Sequence, residues 1–462
     1  MAWSMVLPLS LLMFSACSKG NLTAEGPNNS PADQSATSLF EMGAPGQNYE
    51  ANRILVKFKK GTQPEARQRA MDRVSAVLSE HIHTKSMKKA GDDQGVMLLN
   101  VPMGAFQAMQ LMGNMPEVEY AEPNYIYNHF ATSNDPYFTG GSLWGMYSGS
   151  SSPSNTYGCG AVAAWANGHN GENAENEVYV AVIDEGIMNT HEDLAANCWI
   201  NPNDPIDGVD NDGNGYKDDK WGWDFANNDN TTYDNNADDH ATHVAGTIGA
   251  VGGNSKGVAG VTWKIKMISC KFLGRNGGTT ANAIKAIDYV TDLKSRAGIN
   301  IVATNNSWGG GGFSQALKDA IDRAGAADIL FVAAAGNNGT NNDVTASYPS
   351  NYTSSNIIAV AAIASNGNLA SFSQYGATTV DIGAPGANIY STVPSKKGTS
   401  TYASYNGTSM ATPHVTGAVA LYAAYNGGSA ATIKAAVLAA ATPTASLSGK
   451  CTTGGRLNVS GF

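Results

Sequence analysis

Hydrophobic and polar positions change their pattern along the chain and divide it into four segments. Residues 1–17 contain an uninterrupted apolar run, and residues 18–49 contain almost no large apolar side chain. Residues 50–130 combine short apolar runs with stretches of helical spacing, and residues 131–462 carry longer, nearly continuous apolar runs. Because only the last two segments can bury enough apolar surface to fold, the pattern predicts two folded domains after a leader and a flexible tether.

The apolar run at residues 5–16 has the length of a signal-peptide core and is shorter than the roughly 20 residues of a membrane-spanning helix. It closes in Ser15-Ala16-Cys17, which resembles the bacterial lipoprotein cleavage box and would place a lipid anchor on Cys17. An ordinary secretory signal with an incidental cysteine stays open, because Phe14 stands where Leu is usual and no Lys or Arg precedes the core. Either way, residues 1–17 are expected to direct export.

The segment at residues 50–130 predicts a small α+β domain. Apolar runs at 54–58, 96–101 and 116–125 read as strands, and apolar residues at helical spacing in 65–79 and 103–112 read as helices. The predicted order is strand, helix, strand, helix, strand, which suits a small open sandwich. This order alone says little about function.

The segment at residues 131–462 predicts an α/β domain with a mainly parallel sheet and helices on both of its faces. Val178–Ile183 is nearly continuously apolar, as expected of a central parallel strand that is covered on both sides. Asp184 follows this strand directly, at the sheet edge where open α/β folds build their sites. His240 and Ser409 each stand at a predicted helix start, and Pro413 fits the first turn of the second helix.

Composition and charge narrow the classes of partner. Of 462 residues, 42% are hydrophobic and 14% are charged, which favours a folded protein, and the net charge of -10 argues against a nucleic-acid partner. The acids are concentrated: 15 acidic residues and two lysines lie between Asp184 and Asp239. The remainder of the second domain is therefore mildly basic.

Asp184, His240 and Ser409 are the parts of an activated hydroxyl nucleophile. A serine hydroxyl attacks poorly at neutral pH unless a histidine accepts its proton, and the histidine needs a carboxylate to hold its tautomer. Each fragment alone is ambiguous, since Asp-x-Gly after a strand and Gly-Thr-Ser in a loop are common turns. Unrelated serine hydrolases carry these three residues in different orders along the chain. The order found here, Asp then His then Ser, is typical of one of these groups.

With their flanking sequences, Asp184-Glu185-Gly186, His240-Ala241-Thr242-His243 and Asn406–His414, these fragments resemble the subtilisin-like serine proteases of the peptidase S8 (subtilase) family. The resemblance implies that Asp184, His240 and Ser409 form the triad and that His243 is structural. It implies that the Asn337 side chain and the Ser409 backbone N–H stabilise the oxyanion. The resemblance also implies two substrate-binding segments. Ser307, Trp308 and Gly309 would form an edge that pairs with an extended substrate. Ala334, Ala335 and Gly336 would leave open a pocket for a hydrophobic or aromatic side chain.

One residue departs from the family pattern. Ala241 follows the predicted catalytic histidine, where Gly is nearly always found. The extra methyl puts the rate in question rather than the type of reaction, since all three triad side chains are present.

The resemblance also gives the domain at residues 50–130 a role. Its strand and helix order and its Glu119–Tyr125 ending look like the inhibitor I9-type propeptide of these proteases, an intramolecular inhibitor that is cut off after folding. The cut is expected between Tyr127 and Asn134. If Cys17 is lipidated, the same cut separates the peptidase domain from its anchor.

The acidic region contains a pattern of metal ligands. Counting from Asp210, oxygen ligands fall at positions 1, 3, 5, 7 and 9, and position 6 is Gly215, which predicts a Ca²⁺ loop. Position 12 is Trp221 rather than Glu, so the loop is not a full EF-hand, and a solvated turn-rich loop is the alternative. The predicted ligands are Asp210, Asp212, Asn214, Tyr216 through its carbonyl, and Asp218. A second Ca²⁺ site, at Asp193, Asn254 and Asp135, rests on the resemblance alone.

Four cysteines remain after export, Cys159, Cys198, Cys270 and Cys451. An even number in an oxidising compartment favours disulfides, with three connectivities open. Cys270 lies in a buried-looking strand and is a candidate free thiol.

These features predict a secreted, monomeric serine endopeptidase that acts on polypeptides, is made as a self-processing zymogen and is stabilised by calcium. It would be released or held by a lipid at the bacterial cell envelope, and it would touch the membrane only through Cys17. The alternative is a catalytically weak or silent surface protein that keeps the fold and the calcium loops. A processing protease of narrow specificity is a second alternative.

Overall fold

The computed structural model describes residues 49–125 and 132–462. The chain forms two compact units, one ending at Tyr127 and the other beginning at Asn128. The predicted leader, Cys17, the tether at 18–49 and most of the predicted cleavage region lie outside the described residues. The division between the two units lies three residues before residue 130, where the sequence places the end of the first domain.

The first unit is a four-stranded antiparallel sheet with helices, in the strand order β2-β3-β1-β4. Alternate residues of β1, Ile54, Val56 and Phe58, are buried and pack with residues of α1 and α3 such as Ala70 and Met112. The elements are β1 Tyr49–Phe58, α1 Pro64–Arg73, β2 Val77–Ile82, α2 Lys85–Lys89, β3 Val96–Asn100, α3 Ala105–Gly113 and β4 Val118–Tyr125.

The sequence-based prediction for this unit missed one strand and one short helix. The helix predicted over 65–79 ends at Arg73, and Ser75 takes a positive φ of 51° that turns the chain into β2. Strand β2 lies at the edge of the sheet, where Val77 is 65% exposed. Because such a strand buries little, its sequence lacks the alternation that would reveal it.

The second unit contains a nine-stranded sheet in the order β14-β15-β11-β10-β9-β8-β5-β7-β6, in which all pairs are parallel except β14 with β15. Strands β12 and β13 form a separate antiparallel ribbon. The strands are β5 Tyr179–Asp184, β6 Gly222–Asp224, β7 Lys266–Lys271, β8 Ile301–Asn306, β9 Leu330–Ala334, β10 Ile357–Ile363, β11 Ile382–Pro385, β12 Ile389–Pro394, β13 Ser400–Tyr405, β14 Thr442–Pro443 and β15 Gly455–Arg456.

Helices cover both faces of this sheet. In β5, Val180 and Val182 belong to one hydrophobic cluster, which includes α6 and α9, whereas Ala181 and Ile183 belong to another, which includes α7 and α8. This two-sided burial confirms the α/β prediction and explains the continuous apolar runs. The helices are α4 Pro136–Thr139, α5 Ala161–Ala166, α6 His240–Gly249, α7 Thr280–Ser295, α8 Gln315–Ala326, α9 Thr408–Asn426 and α10 Ala430–Ala439, with 3₁₀ turns at Trp144–Met146 and Ala445–Leu447.

The four cysteines of the described residues are all buried and unpaired. Cys159, Cys198 and Cys451 lie in the cluster with α6 and α9, and Cys270 lies in the other. The expectation of disulfides was wrong for these residues, because each thiol is packed as a small apolar side chain. The prediction of a free Cys270 agrees with the structure.

Within the described parts of the chain, no helix combines the length and the apolar character needed to cross a bilayer.

Candidate active site

The predicted catalytic residues come together at the carboxyl edge of the parallel sheet. Asp184 is the last residue of β5, His240 is the first residue of α6, and Ser409 is the second residue of α9. Strands β9, β8 and β5 are neighbours in the sheet, so Asn337, Ser307 and Asp184 emerge along the same edge. This arrangement follows the general rule that open α/β sheets place their sites beyond the carboxyl ends of their strands.

Asp184 and His240 are in direct contact. The Nδ1–H of His240 faces both carboxylate oxygens of Asp184, at 2.9 Å from Oδ1 and 3.0 Å from Oδ2. The Asp184 side chain is fully buried, whereas the His240 side chain is 27% exposed. This contact fixes the tautomer that leaves Nε2 as the basic nitrogen.

The surroundings of His240 favour its protonated form. Burial alone would lower the pKa of His240, but the charges of Asp184, Glu185 and Asp239 outweigh burial and raise the pKa to about 9. Burial and the charge of Asp184 in turn raise the pKa of Glu185 above its usual range. A group with a pKa near 9 acts as a general base on the alkaline side of neutrality.

The Ser409 hydroxyl is held close to β8 in this structure. Ser409 Oγ donates a hydrogen bond to the Ser307 carbonyl oxygen at 3.0 Å, and Ser307 Oγ donates to the Ser409 carbonyl oxygen at 2.9 Å. Within residues 49–125 and 132–462, no hydrogen bond joins Ser409 to His240. The Ser409 hydroxyl therefore has the Ser307 carbonyl oxygen as its acceptor in this structure.

The Asn337 amide is oriented by the segment that carries the serine. Its Oδ1 accepts hydrogen bonds from the backbone N–H of Thr408 at 2.8 Å and from Thr408 Oγ1 at 3.0 Å. A methyl group built on Gly407 would lie 3.5 Å from both Asn337 Nδ2 and the Ser409 backbone nitrogen. The two predicted oxyanion donors therefore flank the same small region of space.

A cavity of about 340 Å³ lies beside these groups. Of the six residues predicted to bind substrate, Ser307, Trp308, Gly309, Ala334 and Gly336 line it. Ala335 does not line the cavity, which corrects the prediction for this residue. Its side chain is fully buried in the hydrophobic cluster with α6 and α9. Successive residues beyond β9 point to opposite sides, so Ala335 faces away from Ala334 and Gly336.

Sequence reasoning missed several residues of the same wall. Asn338, Ser347 and Gln374 line the cavity, together with Gly310 and Thr408, which belong to the predicted edge segment and to the serine motif. Gly336 has a φ of 113°, and a Cβ there would lie 2.0 Å from Gln374 Oε1 and 3.2 Å from Ser347 Oγ. Nothing in the spacing of Ser347 or Gln374 along the chain links them to the serine motif, so only the fold identifies them.

Two further residues of α6, His243 and Ala241, were singled out by the sequence, and both are buried. His243 is buried, its Nε2–H donates to the Ile389 and Ala403 carbonyl oxygens, and its ring stacks on Tyr405. Burial lowers the pKa of His243 to about 3. Ala241 is fully buried in the core, and α6 continues without interruption from His240 to Gly249, so the departure from Gly is accommodated within a regular helix.

The acidic loop is organised around its own backbone. Asp210 accepts hydrogen bonds from the N–H groups of Gly213, Asn214 and Gly215, and Asp218 Oδ1 accepts those of Asp207 and Gly208. Across the described residues, no group of three or more His, Cys, Asp or Glu side chains takes the geometry of a metal site.

The donor chemistry of this loop nevertheless fits a cation. Asp204 and Asp219, which sequence reasoning missed, are fully buried beside the predicted ligands, and Asn214 Nδ2 donates to Asp219 Oδ2 at 2.8 Å. Burial raises the pKa of Asp219 to about 7, with the charge of Asp212 adding to the effect. Buried carboxylates of this kind are costly unless a positive charge neutralises them. The predicted ligands Asp210, Asp212, Asn214, Tyr216 and Asp218 all belong to this loop, at Asp207–Asp219.

The residues of the second predicted site also come together. Asn254 Nδ2 donates to Asp193 Oδ1 at 2.9 Å, and the Asn254 backbone N–H donates to Asp135 Oδ1 at 3.1 Å. Both carboxylates are fully buried. Burial raises the pKa of Asp135, against its hydrogen bonds, and the charge of Asp193 acts in the same direction. Two buried acids and an amide form a donor set that suits a hard cation.

Comparison with known proteins identifies both units. A profile of the subtilase family, peptidase S8, matches residues 175–460, and a profile of the fervidolysin N-terminal prodomain matches residues 37–124. The thermophilic serine proteinase of Bacillus sp. (strain AK1) is 34% identical over 380 residues, which are 81% of this chain and 78% of that protein. An extracellular protease of Xanthomonas campestris pv. campestris is 40% identical over 255 residues, 52% of this chain and 43% of that protein.

A solved protease structure from Pseudoalteromonas arctica PAMC 21717 covers 71% of this chain and 97% of its own, with a TM-score of 0.54 and 30% identity. These similarities confirm the family resemblance, the subtilisin-like fold and the serine peptidase class. The chain therefore belongs to the subtilase family of serine peptidases and carries a prodomain ahead of its peptidase domain.

Proposed function

We propose that this protein is an exported serine endopeptidase in which Asp184, His240 and Ser409 form the catalytic triad. The observation that carries the proposal is the 2.9 Å contact between His240 Nδ1 and the buried Asp184 carboxylate, at the sheet edge where Ser409 lies in the first turn of α9. A buried carboxylate on Nδ1 is the arrangement that makes Nε2 a base for a serine hydroxyl.

In the proposed reaction, Ser409 Oγ leaves the Ser307 carbonyl, passes its proton to His240 Nε2 and attacks the peptide carbonyl carbon. The Asn337 side-chain N–H and the Ser409 backbone N–H hold the negative oxygen of the tetrahedral intermediate. The protonated His240 then gives its proton to the leaving amine, and an acyl-enzyme forms. Water, deprotonated by His240, hydrolyses the ester and restores Ser409.

The lining of the cavity favours uncharged substrate side chains. None of the twelve residues that line it is charged, and Ala334 and Gly336 leave its interior open. We propose that a hydrophobic or aromatic side chain before the cleaved bond enters it. The segment of Ser307, Trp308 and Gly309, which is buried at Ser307 and exposed at Gly309, would pair with an extended substrate by strand addition.

Two calcium sites belong to the proposal. The acidic loop would hold one ion through Asp210, Asp212, Asn214, Tyr216 and Asp218, and Asp135, Asp193 and Asn254 would hold the other. Support comes from buried carboxylates at both places, those of Asp204, Asp218 and Asp219 at the first and those of Asp135 and Asp193 at the second. Calcium would supply neutralising charge and stabilise loops, without a part in the chemical step.

The prodomain supports the proposal that the protein is made as a zymogen, and the predicted leader supports the proposal that it is exported. We propose that the prodomain inhibits the peptidase domain until a cut between Tyr127 and Asn134 releases it. The Xanthomonas relative is named an extracellular protease, in keeping with export of this chain. If Cys17 carries lipid, the uncut precursor should fractionate with membranes and the Cys17→Ser protein should not.

Maturation tests the proposal directly. Wild type should shed the prodomain, whereas Ser409→Ala should stay full length, as seen by gel mobility and N-terminal sequencing. Ser371→Ala, a change at an exposed serine outside the site, serves as the control and should mature like wild type. Normal maturation of purified Ser409→Ala protein would exclude self-processing by this serine.

A second test distinguishes a working enzyme from a catalytically silent binding protein. The silent alternative is favoured by one observation, namely that the Ser409 hydroxyl donates to the Ser307 carbonyl oxygen and not to His240. A fluorophosphonate probe should label mature wild type and leave Ser409→Ala unlabelled. Absence of labelling in wild type between pH 7 and 10 would support the silent alternative. Activity should rise with pH towards about 9, because a raised pKa keeps His240 protonated, and unable to act as a base, below that value.

A further inference from the structure

Glu185, directly after the predicted triad aspartate, makes three contacts that converge on the site. Its backbone N–H donates to Asp184 Oδ1 at 2.8 Å, and its Oε2 accepts from the backbone N–H of His240 at 3.2 Å. Its carbonyl oxygen accepts from Lys271 Nζ at 2.6 Å. One residue thus touches the carboxylate, the histidine and a buried lysine.

The contact with His240 replaces a missing helix cap. His240 opens α6, and the residue before it, Asp239, makes no side-chain capping bond to the helix. The first N–H groups of a helix need acceptors and favour a negative charge. Glu185 supplies both from a position 55 residues earlier in the chain, so it joins the helix to the strand that carries Asp184.

Lys271 secures the other side of the same junction. It lies opposite Asp184 in the register of β5 and β7 and is 1% exposed. Its Nζ lies 2.7 Å from Asp238 Oδ1 and 3.4 Å from Asp234 Oδ2, in addition to its bond to the Glu185 carbonyl oxygen. Strand β5 is therefore tied to both ends of the short segment that leads into His240.

The charged and titratable groups around His240 come from every neighbouring element. They are Asp184 at the end of β5 and Glu185 directly after it, Asp234, Asp238 and Asp239 in the preceding loop, Lys271 on β7, Tyr405 on β13, His243 on α6 itself and, beyond His243, His414 on α9. Lys271 is engaged by Asp238, and Tyr405 OH donates to Asp239 at 2.8 Å. Burial keeps His243 and His414 neutral. Glu185 is the group whose charge reaches His240 through a direct hydrogen bond without belonging to the triad.

We propose that Glu185 is a positioning residue of the catalytic histidine, which holds His240 against Asp184 and sets the pH range in which the enzyme acts. The proposal rests on the proposed function, because it assigns a role relative to the triad. A carboxylate near the imidazole stabilises the imidazolium and raises the pH at which the free base appears. Its hydrogen bond to the helix start limits the orientations that the ring can take.

The test compares Glu185→Gln and Glu185→Ala with wild type in the mature, calcium-saturated enzyme. The rate constant of inactivation by a fluorophosphonate is measured from pH 6 to 10.5, and kcat and KM on a peptide amide are determined separately over the same range, which also gives the profile of kcat/KM. Glu177→Gln is the matched control, since Glu177 is exposed and lies before the opposite, amino end of the same strand. The control should reproduce the wild-type profile.

Glutamine keeps an acceptor for the His240 N–H but removes the charge. Glu185→Gln should therefore move the acidic limb of both profiles down by about one pH unit, with a plateau within about threefold of wild type. Alanine also removes the acceptor, so Glu185→Ala should lower the plateau of kcat by about tenfold at nearly unchanged KM, because a misplaced base costs rate rather than binding.

An unchanged acidic limb in Glu185→Gln would overturn the proposal, even if its melting temperature fell, since a purely structural residue would have that effect. If Glu185→Ala fails to fold, the Gln variant still decides. A wild-type enzyme that reacts with the probe at no pH would overturn the proposed function as well. Normal wild-type labelling together with an unshifted Gln profile would overturn the role of Glu185 alone.

Discussion

At the scale of single residues, Asn337 combines two tasks in one amide. Its Oδ1 accepts two hydrogen bonds from Thr408, and these hold its Nδ2 towards the region beside the Ser409 backbone nitrogen. The donor that would stabilise the oxyanion is thus oriented by the same segment that carries the proposed nucleophile, Ser409. Such prior orientation avoids the reorganisation that water would require during the reaction.

Replacing Asn337 by Ala should reduce kcat by about 10²–10³-fold and leave KM within a few-fold, a magnitude known from subtilisin itself, because the lost donor acts on the transition state. Steady-state kinetics on a peptide amide would measure both values. Asn366→Ala, at an exposed turn, is the control and should match wild type. An Asn337→Ala enzyme with undiminished kcat would remove this residue from the oxyanion site.

At the scale of elements, the acidic loop at Asp207–Asp219 lies between β5 and β6 and carries the buried carboxylates of Asp218 and Asp219. If calcium holds it, chelation should make the loop susceptible to proteolysis before other parts of the domain. In Ser409→Ala protein, which cannot digest itself, trypsin should cut after the exposed Lys217 in EGTA and spare it in calcium. N-terminal sequencing of the fragments would identify the site.

The turn at Gly274–Gly277 provides the internal control for that experiment. It contains the exposed Arg275, and it is closed by backbone hydrogen bonds between Gly274 and Gly277 in both directions. Cutting after Arg275 should not depend on calcium. Equal cutting after Lys217 with and without calcium would contradict the metal assignment of the loop.

The elements that sequence could predict are those whose pattern records burial on both sides or a local motif. Strand β5 is apolar throughout because both of its faces are covered, and α6 and α9 begin at motifs with distinct chemistry. Strand β2 was not predicted because it lies exposed at the edge of the sheet. The place of Gln374 in the site was not predicted because only the fold brings it next to Gly336. Ala335 was misplaced because the sequence shows small residues without showing which side each one faces.

At the scale of the whole molecule, the peptidase unit is stabilised by packing and not by cross-links among its described cysteines. Burial raises the pKa of Cys159 and of Cys198 to about 12 and raises that of Cys451 and Cys270 as well. A thiol with such a pKa is a poor nucleophile and is also shielded from reagents.

A reducing agent should therefore leave the melting temperature and the activity of the mature enzyme unchanged. A thiol reagent such as Ellman's should react with almost none of the four cysteines in the native protein and with all four after denaturation in guanidinium. Colorimetric titration in both states measures this. A reductant-dependent fall in melting temperature would show that the mature protein contains a disulfide after all.

The parallel order of β9, β8 and β5 also bears on when activity first arises. These neighbours pair segments that are distant in the chain, and such pairing is slow because loop closure costs entropy before contacts form. Ser409 follows all three strands in the chain, so under the proposed function a chain that has not yet completed this sheet would lack an assembled site. During that interval the protein would be a substrate for its already folded copies before it became an enzyme itself.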